Sequence, residues 1–89
     1  MITVTEYAKE ELKTRLRTKT DDPNIGLRLA TGTPGKLKLV QDWQQEGDQV
    51  VTHEGANVLL VDEKISDLLD GATIDYRETE SGKRLVICQ

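Results

Sequence analysis

Ala56-Asn57-Val58-Leu59-Leu60-Val61-Asp62-Glu63-Lys64-Ile65-Ser66-Asp67-Leu68-Leu69-Asp70-Gly71-Ala72-Thr73-Ile74-Asp75-Tyr76 is the stretch that decides the fold. Residues 56–61 are apolar on both faces apart from Asn57, which predicts the most buried strand of the chain. Asp62 then stands as a helix N-cap, with Ile65, Leu68 and Leu69 expected to face inward. Gly71 stops that short helix where a left-handed residue is commonly needed. Ala72, Ile74 and Tyr76 alternate with Thr73, Asp75 and Arg77, the pattern of a half-buried strand.

Upstream, Val50, Val51 and Thr52 form a strand that turns at Glu54-Gly55 into the apolar run. Leu37, Leu39, Gln41 and Trp43 share one face of an earlier strand, and Lys36, Lys38, Val40 and Asp42 the other. Before it, Ile25, Leu27 and Leu29 alternate with Gly26, Arg28 and Ala30. Thr31-Gly32-Thr33-Pro34-Gly35 reads as the turn between these two strands. At the start, Ile2 to Val4 predict a short strand and Thr5 an N-cap. Ala8, Leu12 and Leu16 then recur every four positions, one buried stripe on an otherwise charged helix running to about Thr18. Downstream, Ser81-Gly82 is a turn, and Leu85 to Cys88 closes the fold. The expected class is α+β: one compact domain over residues 1–89, of mainly antiparallel sheets packed with an N-terminal helix and one short helix.

Bulk properties narrow the function. With 89 residues, no Phe and one Trp, the core is built from Leu, Ile and Val. A net charge of −4 repels phosphate backbones, so nucleic acid is not an expected partner. No apolar stretch is long enough for a bilayer, so a membrane is not expected either. The first 15 residues show no signal-peptide pattern, which makes the cytoplasm the default compartment. Cys88 is the one cysteine and His53 the one histidine. No nucleophile–base pair or cofactor fingerprint is present, so enzyme activity is not expected.

Several segments together resemble the A-type iron–sulfur carriers, the HesB/IscA-like family. They are Ile2-Thr3-Val4-Thr5-Glu6 before a helix, Gly26-Leu27-Arg28-Leu29 opening a strand, Val58-Leu59-Leu60-Val61-Asp62, and above all Gly71-Ala72-Thr73-Ile74-Asp75-Tyr76. The resemblance implies a compact fold of β-sheets and helices, and a family that accepts iron or clusters and passes them on. It also implies three cysteine ligands: one in a Gly-Cys-Ser-Gly segment and two in a Cys-Gly-Cys segment near the C-terminus. Here the first motif falls at about Gly35-Lys36-Leu37-Lys38, with Lys36 near the expected cysteine. The second is absent, the chain ending at Gln89 soon after the last strand, and Cys88 does not replace it. Clusters normally take four thiolates, and a lysine ammonium has no lone pair to donate.

The expectation is therefore a non-catalytic relative of the cluster-biogenesis proteins: a protein-binding or regulatory adaptor that binds another protein and holds no cofactor. The candidate contact surface is residues 32–38 with Arg28; Arg28, Thr33, Lys36 and Lys38 are its partner-binding candidates, three of them making a small positive patch. The alternative is a residual iron or iron–sulfur carrier acting as an oligomer. A homodimer would then pool two copies of His53 and Cys88, the weak metal-ligand candidates. Taken singly, His53 reads as a solvated turn residue, and Cys88 as a small packed hydrophobe or part of a frayed end. Trp43 reads as core or edge cover. Gly32-Thr33-Pro34-Gly35-Lys36 lacks both P-loop spacing and a following helix, so a hairpin explains it better than phosphate binding.

Overall fold

In this computed structural model, which describes residues 1–31 and 37–88, the chain runs β1 (Thr3–Val4), α1 (Glu6–Arg17), β2 (Ile25–Thr31), β3 (Leu37–Trp43), β4 (Gln49–His53), β5 (Ala56–Val61), α2 (Glu63–Leu68), β6 (Thr73–Thr79) and β7 (Gly82–Cys88). One sheet has the order β3-β2-β5-β4 and the other β1-β6-β7. The expected turn at residues 32–35 lies outside the described residues. Three of the strand pairs, β2–β3, β4–β5 and β6–β7, are the antiparallel neighbours expected from short connections. Two are parallel: Thr3 pairs with Thr73 in β1–β6, and Leu27 with Leu59 in β2–β5. Parallel partners need a long crossover: both helices and four strands lie between β1 and β6, and two whole strands between β2 and β5.

The apolar run does become the most buried strand. Val58, Leu59, Leu60 and Val61 are all fully buried, because β5 is an interior strand flanked by β2 and β4. Strict alternation would send Val58 and Leu59 to opposite faces. A register shift in the β4–β5 pairing, where Val51 faces Leu59 but Thr52 faces Asn57, leaves Val58 as the extra residue of a bulge. Both side chains thereby join one core with Ala8, Leu12, Leu16, Leu27, Leu29, Ile65 and Ile74.

The Thr5 hydroxyl ties α1 to the smaller sheet. It accepts the Ala8 N–H at 3.2 Å, closing the helix N-terminus, and donates to Asp75 Oδ1 at 2.7 Å on β6. Asp62 caps α2 in the same way, accepting the Ile65 N–H at 2.8 Å. Thr5→Ala removes a cap and a link between elements, and should lower stability by about 1–2 kcal/mol. Thr5→Ser keeps both bonds and should stay within about 0.5 kcal/mol of wild type in urea unfolding. Equal losses for the two variants would show that the hydroxyl does not hold this junction.

One inward expectation fails in α2. Ile65 is buried and Leu69 packs on the core, but Leu68 is 66% exposed. At about 100° per residue Leu68 falls some 60° to one side of Ile65, and Leu69 about 40° to the other. A helix this short buries only a narrow stripe, and Leu68 falls outside it. Gly71, at φ 82, ends the segment as expected, and its N–H donates to the Met1 carbonyl at 3.1 Å.

Candidate functional site

Two clusters of charged side chains sit at opposite ends of the larger sheet. The first gathers on the β2–β3 pair. Arg28 lies opposite Val40 in the ladder, on the same face as Lys38 and Asp42. Its guanidinium donates from Nε to Asp42 Oδ2 at 2.7 Å, and from Nη1 and Nη2 to Asp48 at 2.9 and 2.7 Å. A further bond from Nη2 reaches the Trp43 carbonyl at 3.2 Å. This two-pronged grip on Asp48, whose side chain is 2% exposed, ties the loop after β3 back to β2. The guanidinium beside them holds Asp48 and Asp42 below the ordinary carboxylate value, while the pair raises the pKa of Arg28.

Arg28 therefore does not contribute a free charge to a positive patch, as its sequence suggested. Two aspartates neutralise it, and the sign of Asp42 was visible on its own face of β3. Lys38 is exposed as expected. Thr33 and Lys36 lie outside the described residues. Trp43, read as core or edge cover, is 55% exposed, and Val40, on the opposite face of the strand, 39%. The reason is position: β3 is an edge strand among the described residues, and Trp43 pairs with Ile25 at the end of the ladder.

The second cluster lies where α1 crosses the β4–β5 hairpin. Glu54 and Gly55 take φ values of 52° and 83°, the left-handed pair that a two-residue hairpin turn demands. His53, opposite Ala56 in the register, is thereby directed against the helix. Its Nε2 lies 2.6 Å from Glu10 Oε1 and 3.3 Å from Glu54 Oε1, and its Nδ1 lies 3.7 Å from Glu6 Oε2. The side chain is only 12% exposed, so it is not the solvated turn residue expected. Lys13 Nζ stands 2.9 Å from Glu54 Oε1 and is the main reason that this carboxyl is held low. The sequence carried one overlooked signal for this group. Glu6 and Glu10 are like charges at i,i+4, an arrangement that weakens a helix unless a partner lies between them.

Cys88 is half-buried at the end of β7, opposite Thr73. His53 and Cys88 thus stand on edge strands of different sheets. The chain offers one thiol and one imidazole, which does not fit an iron–sulfur cluster that takes four cysteine ligands. A crevice between α1 and β2–β3, lined by Thr14, Arg15, Thr18, Lys19, Leu27 and Leu39, has a volume of about 260 Å³. That is below the roughly 300–1,000 Å³ of ordinary small-molecule sites, and no nucleophile–base pair lines it.

This two-sheet fold with its crossing helix is shared with proteins of iron–sulfur cluster assembly. SufA of Escherichia coli, involved in biosynthesis of iron–sulfur clusters, superposes with a TM-score of 0.68 at 20% identity, over 99% of this chain and 84% of that one. IscA with a [2Fe-2S] cluster matches at 0.61 and 18% identity, over 100% and 82%. A protein from Aquifex aeolicus solved in solution matches at 0.61 and 24%, over 99% and 90%. No family model matches the sequence. An uncharacterised protein from the nifU 5′ region of Azotobacter vinelandii is 39% identical over 88 residues, covering 92% of this chain and 79% of its own. The chain belongs to one family with that protein and shares its fold with SufA and IscA; it is cysteine-poor, Cys88 being its one cysteine.

Proposed function

We propose that this chain is a non-catalytic, cytoplasmic adaptor of the iron–sulfur biogenesis family, which binds another protein and holds no cluster. The observation that carries the reading is the donor count: a carrier fold whose single thiol sits at the end of an edge strand, with Lys36 near the position where the family places a cysteine. The proposed contact surface is the β3 edge. Lys38 and Val40 are exposed on one face of that edge and Trp43 on the other, and among the described residues no strand pairs with its outer side. An exposed edge with one large aromatic side chain suits strand addition by an extended segment of a partner. Arg28 supports this surface by fixing the Trp43 carbonyl and the following loop.

Anaerobic incubation of the purified chain with iron, sulfide and thiol tests the reading. Wild type and Cys88→Ser are both expected to emerge without a stable visible chromophore. A cluster that forms on wild type and is lost in Cys88→Ser would instead establish an oligomeric carrier using that thiol.

A further inference from the structure

We propose that Glu10, His53 and Glu54 form a binding site for one divalent first-row transition-metal ion, with His53 Nε2 and one oxygen from each carboxylate as ligands. The ligand atoms of the three residues all lie within 4.8 Å of one another. An ion with donors at about 2.1 Å in a tetrahedral arrangement holds them roughly 3.4 Å apart. The observed separations from Nε2, 2.6 Å to Glu10 and 3.3 Å to Glu54, need only a small rotation of the Glu10 side chain to reach that spacing.

The surroundings of the imidazole point the same way. Both proposed carboxylate ligands approach Nε2, whereas Glu6 alone approaches Nδ1 on the far side of the ring. Metal-bound histidines ordinarily turn their second ring nitrogen toward a carboxylate, which fixes the tautomer and raises the basicity of the ligating nitrogen. Glu6, 3.7 Å from Nδ1, takes that task by closing to hydrogen-bond distance.

Charge and access also suit a cation. Three carboxylates converge here, answered by Lys9 beside Glu6 at 3.3 Å and Lys13 beside Glu54. With a neutral imidazole the group keeps one negative charge in excess. The Lys13 ammonium already occupies part of the space at Glu54, so a divalent ion would compete with it. His53 is held against the helix, while the Glu10 and Glu54 side chains are 61% and 57% exposed, leaving an approach from solvent and room for water ligands. One imidazole with carboxylate oxygens is a borderline-to-hard donor set, which suits Zn2+, Fe2+ or Mn2+. The site uses no sulfur and is separate from Cys88, so it stands or falls independently of the adaptor reading.

Calorimetric titration of the full, tag-free chain with Zn2+ near neutral pH tests this. The expected result is saturation at one equivalent, with at least tenfold weaker binding in His53→Ala and severalfold weaker binding in Glu10→Gln and Glu54→Gln. Lys13→Ala should tighten binding by removing the competing ammonium, an effect that a purely structural ion-pair network would not produce. Cys88→Ser should bind as wild type. Glu10→Gln and Glu54→Gln change exposed side chains, so they keep the test valid even if His53→Ala does not fold. Absence of saturable binding, or binding unaffected by Glu10→Gln and Glu54→Gln, overturns the proposal. So does loss of binding in Cys88→Ser.

Discussion

Leu59→Ala is expected to lower the unfolding free energy by about 2–5 kcal/mol, enough to leave much of the protein unfolded at ambient temperature. Leu59 is fully buried on the interior strand of the larger sheet, pairing with Leu27 on one side and Val51 on the other. It belongs to the core formed with Ala8, Leu12 and Leu16 of α1. Truncation removes the transfer energy of the lost methyl groups, and leaves a void that surrounding backbone on both sides cannot readily close. Leu68→Ala is the matched control. It deletes the same atoms from a side chain already 66% exposed, and should stay within about 0.5 kcal/mol of wild type. Urea unfolding of the two variants side by side measures the contrast. Similar losses would mean that Leu68 contributes to the core as Leu59 does.

Arg28→Met comes next in size, at about 3 kcal/mol near neutral pH. Deleting the guanidinium leaves the Asp48 carboxylate, 2% exposed, with a charge and without its main partner. The loss should be at the lower end of the range for broken buried pairs, because Arg28 and Asp42 keep some contact with water. The pH dependence follows from direction. Asp48 and Asp42 both titrate below their ordinary value of 3.8 in the folded protein, so folding favours their charged forms. Their contribution is complete above the unfolded value and disappears as the pH falls below it, through the lower folded values. The gap in stability between wild type and Arg28→Met should thus be constant from neutral pH to about 5 and narrow below about 4. Arg28 itself does not titrate in this range. Replacing Asp48 by Asn in the Arg28→Met background should recover part of the loss, since the unpaired charge is gone. A gap that widens in acid would contradict the ion-pair account.

The elements were legible because their signals are local. Thr5 and Asp62 cap helices through bonds to residues three positions on, and Gly71 ends one by a property of its own backbone. The stripe Ala8, Leu12 and Leu16, and the run from Val58 to Val61, announce their burial through spacing alone. Legibility fell where the outcome depended on which strand lies beside which. The sequence placed Trp43 on the correct face of β3, but exposure followed from that strand being an edge. Arg28 read as a spare positive charge until the loop after β3 folded back and brought Asp48 to it, 20 residues away. His53 read as solvated because Glu6 and Glu10 are more than 40 positions distant along the chain, and only the crossing of α1 over the hairpin joins them.

From the sequence alone come the α+β class, the positions of both helices and the poverty of sulfur donors, since spacing, capping and composition are properties of the unaligned chain. Tertiary structure decided the two parallel pairings, the bulge at Val58, the neutralisation of Arg28 and the convergence of carboxylates on His53. Each of these brings together groups far apart along the chain, where the energy depends on the geometry of approach rather than on the identity of near neighbours.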